Sequence, residues 1–423
     1  MMTQAFYTGI SGIKSSQTGI DVTSDNIANV STVGYRGYST EFSSLFEEMT
    51  TTTNNTSVVD SSIGLGTRVS TTSMNQNEGS RVLTQRGTDL AINGEGWFGV
   101  QGEGEVLFTR AGDFHVDVNA DLVASDGSYV LGTKGSNIKD GVLVTRTDTT
   151  PLGDVNNQEK LNFPETLTYP AEATTNVSFI ANLGIMDLED ENIPKHVSGT
   201  AIDVNGDINH LQLSFTRSDL QTAPNTQWDV VATTQTKDGE TIYDTQTGVI
   251  IFDELGEQVS NTLSQIDNNG TTVNIDLGKD FEGIISTDRE IESSSTSDGL
   301  IGGELSGYDI NQNGDIVATF SNGMQSSVGK IALYHFQNDQ GLDRAGASKF
   351  SQSSNSGEAI FYKDATGQNI TGSNIINYTL ENSNVKMEVA LTELIVLQRS
   401  FDSSSKIIST ADQMLQKAIS MGA

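Results

Sequence analysis

Three stretches of this sequence carry residues spaced as chemistry would need them. Gly94-Glu95-Gly96-Trp97-Phe98-Gly99 meets the G-x-G-x-x-G spacing of a dinucleotide site. That site works only when a helix comes next and turns its N-terminus toward the pyrophosphate. The next residues, Val100-Gln101-Gly102-Glu103-Gly104-Glu105, are acidic and without helical pattern, so a β-turn is predicted. Asp309-x-Asn311-x-Asn313-Gly314-x-Ile316 opens like an EF-hand loop, but the twelfth position, where a bidentate Glu belongs, is Phe320. A hairpin turn is the better reading. Asp117-Val118-Asn119-Ala120-Asp121 and Asp203-Val204-Asn205-Gly206-Asp207 read as turns of the same kind, and the sequence leaves weak Ca²⁺ binding at them open. The four histidines, His115, His196, His210 and His335, show no H-x₃-H spacing, which argues against zinc. Asp113 and His115 lack an identifiable nucleophile. Among 55 acidic side chains a general-acid/base pair could be drawn anywhere, so finding one carries no information. No catalytic residue, cofactor or metal site is assigned, and the chain is not read as an enzyme.

Composition points the same way. The chain has 423 residues, 23 Lys and Arg against 55 Asp and Glu, and a net charge of -32. Such a surface repels phosphate backbones and anionic lipid, so nucleic acid is excluded as a partner. Membrane insertion is excluded because the longest apolar run near the C-terminus, 394–397, is far too short to span. Cysteine is absent, which removes disulfides and thiolate chemistry. Residues 1–12 lack the basic and continuous apolar regions of a secretory signal peptide. With 35% apolar and 7% aromatic residues, several thin β domains suit the chain better than one thick core.

The two ends are different in kind. Met387, Leu391, Leu394, Gln398, Phe401, Ser405, Ile408, Asp412, Leu415 and Ile419 step by four and three without a break. Phe6, Ile10, Ile13, Gln17, Ile20, Ser24 and Ile27 do the same. A 3.5-residue period of this kind marks helices that pack lengthwise on partners. Asn384 is placed to cap the second helix, with Glu388 in its first turn. Gly9, Gly12 and Gly19 weaken the first helix by about 1 kcal/mol each relative to Ala. It is therefore expected to form only when packed, and both ends are expected to order on assembly. Between them, 38–75 reads as a low-complexity linker. Residues 76–165 read as short strands and Gly/Asp/Asn turns, and 166–299 as further strands, including 177–181, 211–216, 228–232 and 249–252. The acidic run 187–191 is expected to be a solvated loop.

After the first helix comes Asp25-Asn26-Ile27-Ala28-Asn29, then Gly34-Tyr35-Arg36. This resembles the N-terminal signature of the bacterial flagellar rod and hook axial proteins, with Asp25 where the family has Asn. Thr84-Gln85-Arg86-Gly87-Thr88-Asp89-Leu90-Ala91-Ile92, Gly94-Glu95-Gly96-Trp97-Phe98 and Phe108-Thr109-Arg110-Ala111-Gly112-Asp113-Phe114 are similar to the family's inner motifs. The block from Gly329 to Leu342 is similar to its hook branch. Gln398-Arg399 and Thr410-Ala411-Asp412-Gln413 match its C-terminal helix. Residues 166–299 carry none of the quoted motifs.

The resemblance implies a mainly β chain with long terminal α-helices. Residues 1–30 and 383–423 would pair as a coiled-coil-like stalk, with 31–75 and 371–382 as extended linker. Residues 76–165 and 300–370 would form an inner β domain, stacked on an outer one, 166–299, inserted into it. Phe6, Ile10, Ile13, Ile20, Ile27, Met387, Leu391, Leu394, Phe401, Ile408, Leu415 and Ile419 would be the assembly seam. The implied function is a hook subunit that polymerises with itself into a curved tube, a universal joint carrying torque from rod to filament. The implied partners are rod and hook–filament junction proteins, a hook cap and the flagellar export apparatus. The implied place is the extracellular flagellum, reached without a cleavable signal peptide. A distal-rod subunit shares the terminal signatures but usually lacks a large outer domain. A β-rich surface adhesin would leave the terminal periodicity unexplained.

Overall fold

The computed structural model describes residues 2–45, 47–50, 61–102, 104–185, 193–221, 223–288 and 292–422. Two helices bracket a β middle: α1, Met2–Ala28, and α2, Met387–Gly422. At 1.5 Å per residue they run about 40 and 54 Å. Both are helical within one chain and lie against each other, where ordering only on assembly was expected. Their closest approach is on small residues of α1. It runs through Gly9, Gly12, Ser16 and Gly19, about 80° round the helix from the line of Phe6, Ile13 and Ile20. A Cβ on Gly9 would come within 2.6 Å of Ile408 Cγ1, one on Gly12 within 2.5 Å of Ser404 Oγ, and one on Gly19 within 2.9 Å of Leu397 Cδ2. Ser16 Oγ donates to Ser400 Oγ at 3.3 Å. The glycines that weaken α1 in isolation are thus what let α2 approach.

This contact reverses the usual sign of a Gly→Ala change. At an exposed helical site Gly→Ala stabilises by about 1 kcal/mol. At Gly9 the methyl group must displace Ile408 and crowd the Ser404 carbonyl, which is 3.3 Å from the added Cβ. Overpacking of this kind costs about 1–3 kcal/mol. Gly9→Ala should therefore lower the melting temperature of the helix pair, followed by circular dichroism; a rise would place the two helices farther apart than described.

The stretch expected as linker is folded. Tyr38–Ser44 pairs antiparallel with Thr67–Met74, and Glu47–Thr50 with Ser61–Gly64. The first ribbon folds back along α1. Ser15 Oγ donates to the Thr67 carbonyl at 3.1 Å, and Ser11 Oγ accepts from Thr67 N at 3.3 Å. The threonine run beyond Thr50 lies outside the described residues. Residues 371–382 are likewise paired: Asn374–Asn377 with Leu90–Asn93, and Thr379–Glu381 with Arg81–Leu83. Asn384 does not cap α2. Its Oδ1 accepts from Gly37 N at 2.8 Å and its Nδ2 donates to the carbonyls of Asn75 and Asn77, so it clips the two chain crossings together.

The β middle has separate apolar cores. Leu90, Phe98, Phe114, Leu122 and Val130 pack with Ile316, Phe320, Ile331 and Ile375, joining segments from either side of the middle of the chain between a 15-stranded sheet and the separate pair that holds Leu90 and Ile375. Trp97, Phe108, Tyr334, Phe336 and Phe350 form an edge-to-face aromatic cluster beside it. A further core, Val177, Phe179, Leu213, Trp228, Val230, Phe252 and Val273, belongs to a five-stranded meander from Lys195–Ile202 to Gln258–Asn261, packed on a six-stranded sheet built round Asn176–Asn182. Leu167 and Tyr169 still pack in the first core, so the crossing between the two lies just beyond them.

The Asp/Asn motifs are turns. The Oδ1 atoms of Asp117, Asp203, Asp253, Asn311 and Asp364 each accept the backbone N–H two and four residues on, at 2.8–3.0 Å. The residue three positions on has positive φ in every case: Ala120, Gly206, Gly256, Gly314 and Gly367. This is the bulged hairpin turn, in which the Asx oxygen stands in for a backbone acceptor. Gly94–Gly99 leads into the strand Trp97–Gln101, not a helix. The acidic run 187–191 lies outside the described residues.

Candidate assembly surface and its joint

The chain passes between the helix pair and the β middle twice, and both passages meet at one buried carboxylate. Glu381, the last residue of Thr379–Glu381, is fully buried. Its Oε1 lies 3.0 Å from Arg36 Nη2 and accepts from Gly79 N at 2.9 Å, and its Oε2 lies 3.4 Å from Arg110 Nη1. Arg36 also donates to the Asn77 carbonyl, and Arg110 Nη2 to the Gly94 carbonyl at 2.6 Å. Burial, with Arg36 alongside, pushes the Arg110 pKa down to about 10; burial also lowers that of Arg36. Two guanidinium groups sharing one carboxylate tie the exit of α1, the entry of α2 and the β middle into a single joint. Gly34 completes it. Its φ is +65°, its N–H donates to the Glu381 carbonyl at 2.7 Å, and a Cβ would sit 2.3 Å from Ala111 N.

The signature residues around α1's end have local tasks. Asn26 offers Oδ1 to Tyr38 N at 2.9 Å and donates Nδ2 to Tyr38 O at 2.6 Å, acting as a strand partner. Asn29 Nδ2 donates to the Asp25 carbonyl at 2.9 Å and to Asp25 Oδ1 at 3.0 Å. Tyr35 is buried and its hydroxyl donates to Asp25 Oδ2 at 3.1 Å. Burial, then Asp25, raises its pKa to about 12. Ile27 is half-buried and Ala28 exposed. Gln398, Arg399, Asp412 and Gln413 on α2 are exposed, and Asp412 Oδ2 accepts from Gln416 Nε2 at 2.9 Å.

The expected seam residues divide. Ile408 packs at Gly9 of α1, and Leu394 and Phe401 are half-buried. Phe6, Ile13 and Ile20 are half-buried, while Ile10, Met387, Leu391, Leu415 and Ile419 are exposed. A further apolar line runs along α2 at Val389, Val396, Ile407, Met414 and Met421, with Val396 60% and Met414 58% exposed. An open groove of about 420 Å³ lies between Ala5 and Ile407, Ala411 and Met414. The helix pair therefore approaches closely through small residues, with Leu397 and Ile408 against them, and leaves many of its other large apolar residues exposed, a surface of the kind that marks association. Reading large apolar residues alone missed the small-residue face. Its signal was present, because Gly9, Gly12, Ser16 and Gly19 step by three and four.

Among the described residues no group of three or more His, Asp or Glu is placed to hold a metal, and no helix is long and apolar enough to cross a membrane.

Three family models match the chain. "Flagella basal body rod protein" covers residues 6–36, "Flagellar hook protein FlgE/F/G D1 domain" residues 91–210, and "Flagellar basal body rod FlgEFG protein C-terminal" residues 377–421. The second runs past 165 into the stretch that carried no recognisable motif. The chain is 29% identical over 462 residues to the flagellar hook protein FlgE of Borreliella burgdorferi, with 99% of each covered. It is 28% identical over 437 residues to that of Escherichia coli, and 27% over 432 to that of Salmonella typhimurium, in each case covering 99% of this chain and all of the other. The crystal structure of Helicobacter pylori flagellar hook protein FlgE2 shares the fold at a TM-score of 0.50 and 17% identity, covering 71% of this chain and all of that one.

Proposed function

We propose that this chain, a protein of the flagellar rod and hook family, is the structural subunit of the flagellar hook, polymerising with itself into a curved tube that carries torque from rod to filament. The observation that carries this reading is the end-to-end match to hook proteins, with the large insert included, on a chain whose terminal helices keep their apolar side chains uncovered. A distal-rod subunit would share the terminal matches but not the full-length alignment to hook proteins. In the polymer, the exposed lines of α1 and α2 face neighbouring copies toward the tube's interior and the β domains face outward. We read 166–299 as the outer, inserted domain, which the separate core from Val177 to Ile284 supports, although Leu167 and Tyr169 at its start pack in the inner core. The role is mechanical rather than catalytic. The partners are rod and hook–filament junction proteins at its ends, a cap during growth, and the export apparatus that delivers the chain. Electron microscopy of polymer grown from the purified protein tests the reading. Curved hollow tubes are expected, straight ones would favour the rod, and absence of polymer would sink both.

Charge placement gives a second measurable consequence. Residues 166–299 hold 23 Asp and Glu but 5 Lys and Arg, whereas on the helices Lys14, Arg399, Lys406 and Lys417 offset most of Asp21, Asp25, Glu388, Glu393, Asp402 and Asp412. Repulsion between copies therefore comes from the outer parts, where water and salt reach it. The screening length falls from about 30 Å at 0.01 M salt to about 8 Å at 0.15 M. Polymer yield should rise over that range, measured by sedimentation; a steady fall with added salt would contradict this layout.

A further inference from the structure

We infer that Arg344 and Asp25 form a latch that sets the angle of the helix pair on the β domains, with the Glu381 joint as its pivot. The inference rests on the hook reading for its purpose and on geometry for its parts. Asp25 stands in the last turn of α1, and Arg344 on the strand Asp343–Gly346 at the edge of the large sheet, 319 residues away. Both Nη atoms of Arg344 lie 3.0 Å from Asp25 Oδ2, which also accepts the Tyr35 hydroxyl. The guanidinium lies over the Tyr38 ring at 4.7 Å and the Tyr35 ring at 5.9 Å. Arg344 thus reaches from the β middle into a cage made by the helix end and the first strand of the ribbon. A cavity of about 250 Å³ separates the two bodies there, bounded by the hairpin turn at Ala347 and Ser348, both with positive φ.

Besides Met74, which the Gln340 side chain holds through both its backbone N–H and carbonyl, two charged contacts join these bodies, and they differ in strength by kind. At the pivot all three charged side chains are at most 5% exposed, so opening it would strand a buried charge. At the latch the pair is 49% and 42% exposed, so water and salt take over each charge as it opens. A bending load on the helix pair therefore opens the latch first and turns about the pivot. Asp25 is also where this chain departs from the Asn of the resembling signature. A neutral side chain there would keep a hydrogen bond to Arg344 but not the ion pair.

The test measures bending stiffness of isolated hooks across 0.01–0.5 M salt for the natural chain, Asp25→Asn, Arg344→Gln and the exchanged pair Asp25→Arg with Arg344→Asp. Natural hooks should soften as salt rises. Either single variant should be at least twofold softer at low salt and insensitive to salt. The exchanged pair should regain salt sensitivity, which a merely structural defect would not. A second readout stands independent of assembly. The chain has no cysteine, so Lys363→Cys and Lys417→Cys accept spin labels cleanly, and the distance distribution between them should broaden in Arg344→Gln. Stiffness and distance distribution both unchanged by Arg344→Gln would overturn the latch. Failure to form hooks at all, with the distribution broadened, would instead count against the hook reading and leave the latch standing.

Discussion

Ile10→Asp, Val396→Asp or Met414→Asp should abolish polymer formation while the β domains stay folded. These side chains are 43, 60 and 58% exposed in the single chain, so the substitutions remove little from it. Exposed changes of this sort cost within about 0.5 kcal/mol. In a polymer each would lie between copies. Burying a large apolar side chain contributes about 1.5–3 kcal/mol, and a carboxylate in its place adds a desolvation cost of several kcal/mol. At about 1.4 kcal/mol per tenfold, one substitution should raise the critical concentration at least a hundredfold. Sedimentation and microscopy read the polymer, and near-ultraviolet circular dichroism of Trp97 and Trp228, both buried, reads the β cores. Wild-type polymer yield from all three variants would mean that these lines do not meet a neighbour.

Glu381→Ala should destabilise the β middle as strongly as loss of a buried aromatic side chain does. It leaves Arg36 and Arg110, both under 5% exposed, facing each other without a counter-charge and frees Gly79 N. Removing one partner of a buried ion pair costs about 3–5 kcal/mol, a large part of a domain's net stability of about 5–15 kcal/mol. Denaturant unfolding should show that loss as a shifted midpoint with little change in slope. Glu381→Gln keeps an acceptor for Gly79 N and should lose somewhat less. A loss below 1 kcal/mol for Glu381→Ala would show that water already reaches the two guanidinium groups.

Legibility in the sequence divides by distance along the chain. The turns at Asp117, Asp203 and Asn311 were legible because acceptor and donors lie within four residues. The strands holding Leu211, Leu213, Phe215 and Trp228, Val230, Ala232 were legible because alternation is local. Helix existence at both ends came from period alone, but not which face meets which. Apolar periodicity ranks Ile13 above Gly12, whereas close helix approach is decided by the residue with least bulk. The ribbon Tyr38–Ser44 was hidden because its alternating residues are mostly Ser and Thr, which read as low complexity. The joint was out of reach altogether. Glu381 meets Arg110 across 271 positions, and nothing near any of its members signals the others. Arg36 and Arg110 both stood inside matched motifs, where resemblance marked them without explaining them.

The seam between α1 and α2 joins residues as far apart as Ser16 and Ser400, 384 positions along the chain. Closing so long a loop is entropically slow and comes after local structure has formed. The first helix must therefore wait, unpartnered and marginal with its glycines, until α2, Met387–Gly422, has been added. A chain broken off anywhere in the β middle would carry complete turns and strands but no ordered stalk. On the hook reading, a copy that stops short of α2 presents a neighbour with no paired stalk to join.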